Sequence, residues 1–308
     1  MVGARDPRAD LLDRSPFRGV TRVAHVHASD EPYRTPTLLS QFFAIGSSPQ
    51  PVMHEGRLWH FSETEKRELG LALGAFTLAL GLMSVRGLGG LMGAGTETGL
   101  YASGAEWLGT LVLAMPLMAI AIGPAFVLHE LGHKFAARHY GCWAEFRSDP
   151  KGLRFGVLLA AVLGLVFMAP GAVMVAGLVT RRQNGHIAAA GPLVNLSLFA
   201  LGFPLGILFF GLTGTDASYA SLSYLEGGVI AWRAMAYDVV RYWMVANLGL
   251  GFLNMLPFGP LDGLKVKGWS DQAFYGIIGI FVLLIAAWMA GYWNPLGIVE
   301  SGASALFG

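Results

Sequence analysis

Most of this chain is written as long apolar runs separated by short polar or basic stretches. From Leu108 to Leu128 no residue carries a formal charge, and apolar residues dominate 68–90, 186–211, 232–256 and 272–292 in the same way. Each run reaches the length of about 20 residues that a helix needs to cross a bilayer. The pattern therefore predicts membrane-spanning helices at 68–90, 108–138, 186–211, 232–256 and 272–292. Ser62-Glu-Thr-Glu65 has the spacing of a capping box and starts the first helix there. Phe155 to Thr180 is a further uncharged stretch, but Pro170-Gly171 cuts it into halves too short to cross singly. Basic residues flank it on both sides, Arg147, Lys151 and Arg154 before and Arg181 and Arg182 after. It reads as a segment that dips in and returns: a short helix to about Phe167, then an extended piece, Ala172–Val179. A plain extra span is the alternative. Non-helical backbone at that depth is stable only where protein or a wet cavity satisfies its polar groups. The fold class is an all-α polytopic membrane protein, with about five to six transmembrane helices and a small re-entrant or strand segment.

Residues 1–65 are then a polar, proline-scattered extension, 66–293 the membrane domain with its core at 108–267, and 294–308 a short C-terminal tail. Composition agrees, with 54% hydrophobic and 13% charged residues against roughly 25% charged in an ordinary soluble domain. The mean hydropathy is +0.53. Lys and Arg gather before the first span, after the second, before the third and after the fourth, with Arg86 the main exception. The positive-inside rule therefore places the extension on the cytoplasmic side and, after five crossings, the C-terminus outside. A net charge of +1 without a basic cluster argues against a nucleic-acid partner. One cysteine, Cys142, rules out an intrachain disulfide. No apolar h-region opens the chain, so no cleavable signal peptide is expected. His25 and His27 have no cysteine or carboxylate cluster near them and read as surface histidines. Arg233, Asp238 and Arg241, near the outer end of their span, read as snorkelling interfacial charges.

The chemistry concentrates at the end of the longest uncharged run, in His-Glu-Leu-Gly-His at 129–133. Positions i and i+4 share a helix face, so His129 and His133 can aim imidazole nitrogens at one point. Glu130 sits about 100° round the axis, beside that point. Two ligands and a general base on one turn are the grammar of a zinc hydrolase. Three polar residues on a solvated face would be the plain reading elsewhere. Here the flanks are lipid-grade, and an ionisable group in such a segment needs a reason.

A catalytic zinc takes three protein ligands and keeps one open position. The fourth span and its sequel, NMLPFGPLDG (254–263), offer a third. Asn247, Gly251 and Asn254 form a narrow polar-and-small stripe, and Pro257 and Pro260 end regular helix before Asp262. By charge count Asp262 lies at the depth of the two histidines, where a carboxylate needs a partner. A turn aspartate before Gly263 is the alternative. In the third span, AAAGPLVN (188–195) has Gly191-Pro192, which permits close backbone approach, and Asn195 one turn on. Asn195 has two readings: a donor to a substrate carbonyl or developing oxyanion, or an interhelical hydrogen bond.

HELGH (129–133), AGPLVN (190–195) and N-x-L-P-x-x-P-L-D-G (254–263), in that order, resemble the site-2 protease family of intramembrane zinc metalloproteases. The likeness covers roughly Leu108 to Lys267. It implies one zinc ion per chain held by His129, His133 and Asp262, with Glu130 as catalytic base and Asn195 and Asn254 near bound substrate. The extended pieces FRSDPKG (146–152) and APGAVMVAG (169–177) are similar to an archaeal-type member without a PDZ domain, which implies a prokaryotic cell membrane; the distribution of Lys and Arg places HELGH near the cytoplasmic end of its helix. The implied function is hydrolysis of peptide bonds in or near the transmembrane segment of membrane-anchored substrates. Two alternatives share HELGH. A CAAX-type membrane metalloprotease would take a glutamate as third ligand from a later helix, and Glu226 and Glu300 both fall on the predicted opposite side. A metal-binding transporter or sensor would use the same cluster without peptide cleavage.

Overall fold

The computed structural model describes residues 59–308 except Phe167, Ala169, Leu178 and Leu222. His25, His27 and nearly all of the N-terminal extension lie outside the described residues. Helix α1 (Glu63–Ser84) begins as its sequence requires, with the Ser62 hydroxyl accepting from the Glu65 N–H at 3.1 Å. Glu65 does not turn back to complete the box. Its carboxylate is buried, ion-paired with Lys134 and accepting from the Phe146 N–H at 3.1 Å. Arg86, with φ at 58°, then breaks the run before α2 (Gly87–Gly93).

The second apolar run is two helices in line, α3 (Gly104–Ala121) and α4 (Gly123–His139). The join falls where Pro124 has no N–H to continue the ladder. Strand β1 (Trp143–Ser148) follows, then α5 (Pro150–Leu163). Asp149 caps α5 by accepting from the Lys151 N–H at 3.0 Å, and Pro150 occupies the first turn, where its missing N–H costs nothing. Pro150 to Gly152 are therefore helical rather than extended. At 14 residues, about 21 Å at 1.5 Å per residue, α5 is too short to cross a core of about 30 Å. It ends at Gly164 in the left-handed conformation (φ 64°), earlier than Phe167. Strand β2 (Gly171–Ala176) comes back antiparallel to β1, pairing Trp143 with Ala176 and Ser148 with Gly171. The stretch is a helix and a strand, not an extra span.

Helix α6 (Arg181–Thr213) starts earlier than hydropathy suggests because Thr180 and Gln183 form a full capping box (3.1 and 2.9 Å). A small hairpin, β3 (Leu225–Glu226) and β4 (Val229–Ile230), precedes α7 (Trp232–Asn254). Then come α8 (Asp262–Trp269), α9 (Asp271–Met289) and α10 (Pro295–Phe307). The last of these is a helix packed against α6 where a short tail was expected. Helix α6 is the hub: α4, α7, α8 and α10 all pack on it.

Among the described residues, four helical stretches are long and apolar enough to cross a membrane: Glu63–Gly93, Gly104–His139, Arg181–Thr213 and Asp271–Met289. Helix α7 has the length, at 23 residues, but carries Arg233, Asp238 and Arg241 in its first half. Asp238 is not an interfacial snorkeller. It is buried, accepting from the Tyr224 hydroxyl at 2.5 Å and from Arg241 Nε at 2.6 Å. Burial and the Asp238 charge push the Tyr224 phenol up, keeping it a donor in this contact.

Candidate metal centre

Helix α4 brings His129 and His133 to one face, as the i, i+4 spacing demands, and both are buried against α6. The start of α8 brings Asp262 to the same point across more than a hundred residues of chain. The two Nε2 atoms are 3.1 Å apart, and Asp262 Oδ2 lies 3.4 Å from that of His129 and 3.0 Å from that of His133. A tetrahedral zinc with ligands at about 2.0–2.1 Å has donor–donor edges of about 3.3 Å. The triangle matches that figure on all three sides. No other group of three such donors meets among the described residues.

Hydrogen bonds on the far sides of the rings decide which nitrogen faces the point. His133 Nδ1 is 2.8 Å from the Ile187 carbonyl oxygen, which can only accept, so Nδ1 carries a proton and in the neutral ring Nε2 is bare. His129 Nδ1 is 2.6 Å from Asn195 Oδ1. The Asn195 amide is oriented by its Nδ2, which donates to the Ala125 carbonyl at 2.9 Å and to Asn247 Oδ1 at 3.1 Å. His129 must therefore donate from Nδ1 as well. Two bare imidazole nitrogens and a carboxylate oxygen facing one another in a buried spot repel unless a cation joins them. The donor set fits a divalent metal, and zinc foremost.

The second carboxylate oxygen, Asp262 Oδ1, is 3.3 Å from Lys265 Nζ. Glu130 is buried beside the histidines without joining the triangle, and its Oε2 accepts from the Val173 N–H of β2 at 3.2 Å. Gly191 lets α6 approach this closely. A Cβ there would sit 2.5 Å from His133 Nε2 and 2.6 Å from His129 Nε2.

Of the residues singled out by sequence, His129, Glu130, His133 and Asp262 come together. Asn195 is adjacent, but both its amide hydrogens and its oxygen are already engaged by protein. Of its two readings, this is the interhelical one. Asn254 is partly exposed and donates to its own helix, at Leu250 O, 3.1 Å away. Glu300 belongs elsewhere. It lies on α10 beside Asp216 and Ala217, past the C-terminal end of α6, whereas the histidines meet α6 at Ile187, Gly191 and Asn195.

Sequence reasoning missed the buried charges behind the centre. Lys134, fully buried next to His133, pairs with Glu65, donates to the His60 carbonyl at 2.9 Å and lies over the Phe61 ring. Glu145 accepts from Ser62 Oγ at 3.0 Å and from Arg147 at 2.8 Å. The signal available was a lysine directly following a metal-ligand histidine, where a headgroup-facing side chain would have to leave the site's own helix face.

Two histidines and a glutamate on a long apolar helical stretch, joined by an aspartate from a neighbouring short helix, define a membrane metalloprotease. The comparisons with known proteins agree. Residues 117–268 match the model of peptidase family M50. A protein of Methanocaldococcus jannaschii named as a zinc metalloprotease is 35% identical over 170 residues, covering 55% of this chain and 78% of the relative. One of Bacillus subtilis with the same kind of name is 27% identical over 213 residues, covering 63% and 91%. No solved structure matches. The chain belongs to peptidase family M50, and its cofactor is zinc.

Proposed function

We propose that this protein hydrolyses peptide bonds in or near the transmembrane segment of membrane-anchored substrates. The observation that carries the reading is the His129–His133–Asp262 triangle with Glu130 beside it, the two histidines and Glu130 lying on a helical stretch long and apolar enough to cross a bilayer. His129, His133 and Asp262 would hold the zinc, which when bound supplies an acidified water, with a pKa brought towards about 7, and polarises the scissile carbonyl. Glu130 takes the proton as the water attacks and returns it to the leaving nitrogen. Asn195 keeps His129 in the ligating tautomer. By charge count the active site faces the cytoplasmic side.

A helical substrate hides its carbonyls in its own ladder and must unwind to be cut. Strand β2 supports a way of holding the unwound piece. In an antiparallel pair, residues alternate between facing the partner strand and facing away. Phe146 and Val173 are opposite each other, and their N–H groups point outward to Glu65 and Glu130. The outward set on β2 is therefore Gly171, Val173 and Val175, an edge that runs alongside the catalytic carboxylate. An extended substrate can add to it by backbone pairing.

The test is metal analysis and cleavage of single-span substrates by purified wild type, Glu130→Gln and Asp262→Ala. Glu130→Gln is expected to keep zinc and lose proteolysis, and Asp262→Ala to lose both. An active Glu130→Gln protein would end the catalytic assignment. Metal loss in Glu226→Ala rather than Asp262→Ala would favour the CAAX-type reading.

A further inference from the structure

The polar stripe on α7 does three different things in the folded chain. Asn254 binds back to its own helix. Gly251 makes room for the Phe281 ring and the Asn195 side chain. Asn247 faces inward, is 0% exposed, and is not one of the three donors of the metal triangle. Its hydrogen bonds nonetheless lead to it. Asn247 Nδ2 donates to the Trp243 carbonyl at 2.9 Å, which turns its oxygen towards α6. That oxygen accepts from Asn195 Nδ2 at 3.1 Å, and Asn195 Oδ1 in turn faces His129 Nδ1 at 2.6 Å.

We propose that Asn247 is a positioning residue for the metal centre, which acts through Asn195 to hold His129 with its proton on Nδ1 and its Nε2 free to ligate. The reason lies in the symmetry of an amide. Asn195 fills nearly the same space after a 180° flip, and only its partners tell oxygen from nitrogen. Flipped, it would present N–H groups to His129 Nδ1. That nitrogen would have to become the acceptor, and the ring proton would move to Nε2, where a ligand is needed. Two acceptors prevent the flip, the Ala125 carbonyl and Asn247 Oδ1. Bulk water reaches neither amide, because Asn195 and Asn247 are both fully buried. Without the Asn247 oxygen, one Asn195 N–H has no partner, and an unpaired buried donor is costly enough to favour rearrangement. Outer partners of metal-bound histidines typically change metal affinity about 10- to 100-fold.

The inference rests on His129 being a zinc ligand, so Asp262→Ala is measured alongside. Full-length protein in nanodiscs is stripped and titrated with zinc against a chelator of known affinity. The cobalt(II)-substituted protein is recorded by visible absorption. Asn247→Leu, similar in size but without an acceptor, is expected to weaken zinc binding about 10- to 100-fold and to alter the cobalt spectrum. Asn247→Asp in its neutral form keeps an oxygen for Asn195 and an O–H for the Trp243 carbonyl, and is expected to restore both readouts. Asn247→Ser, too short to reach Asn195, is expected to weaken binding as Leu does, and serves if the leucine variant does not fold. Wild-type zinc affinity in a folded Leu or Ser variant would overturn the proposal. So would equal weakening in the Asp variant. If wild type takes up no zinc, or Asp262→Ala takes it up unchanged, the metal centre itself is wrong and the inference falls with it.

Discussion

One hydrogen atom matters most in this protein, the one at Gly191 where any other residue has a Cβ. The His129 and His133 rings cannot step aside for a methyl group, because Asn195 and the Ile187 carbonyl hold their far sides. Gly191→Ala is therefore expected to lose zinc, and to lower stability by about 1–3 kcal/mol as overpacking does. Zinc content and the thermal transition of the purified variant check this; full metal occupancy would show that α6 can back away. Residues of the same type differ sharply here. Asn195 and Asn254 looked alike in sequence, each a polar residue on an apolar helix, yet one is locked between three helices and the other bonds to its own turn.

At the scale of elements, two devices surround the metal-bearing α4. One is the ion pair between Lys134 and Glu65, which ties the start of α1 to the end of α4, while Glu65 also holds β1 through the Phe146 N–H. Removing one member of a buried pair strands the other, at a cost of about 3–5 kcal/mol. Lys134→Met should be strongly destabilised, and adding Glu65→Leu should recover much of the loss. Denaturation of the three proteins in detergent measures this; a second substitution that only adds damage would mean the pair is not the origin of the effect. The other device is β2. A proline at Val175 removes an outward N–H but spares the pairing with β1, so Val175→Pro should impair cleavage and leave zinc content unchanged. Unaltered turnover would sink the strand-addition idea.

At the scale of the whole molecule, the fold returns the chain to the side it left between β1 and α6. Lys151 and Arg182 should therefore lie on one face of the membrane, the cytoplasmic one by charge count. The sole cysteine, Cys142, is buried, so the wild-type background is low. Single cysteines at 151 and 182 are expected to react with an impermeant thiol reagent in inverted vesicles and not in intact cells. Opposite labelling of the two would mean that 155–180 crosses after all.

What the chain's order of residues decided alone is local or additive. The apolar lengths marked four of the five helices read as crossing, and the i, i+4 spacing put His129 and His133 on one face. A helix has a fixed period, so such features need no knowledge of its neighbours. Asp262 was legible for a related reason, since a carboxylate among apolar residues has few places to go. Tertiary structure decided the rest: that Lys134 points to Glu65 and not to headgroups, that Asp238 is buried with Tyr224, and that Asn195 and Asn247 hold His129. Those outcomes depend on how helices cross and which groups then face one another. A donor and an acceptor are named in the sequence, but distance and angle choose their partners, and only packing supplies those.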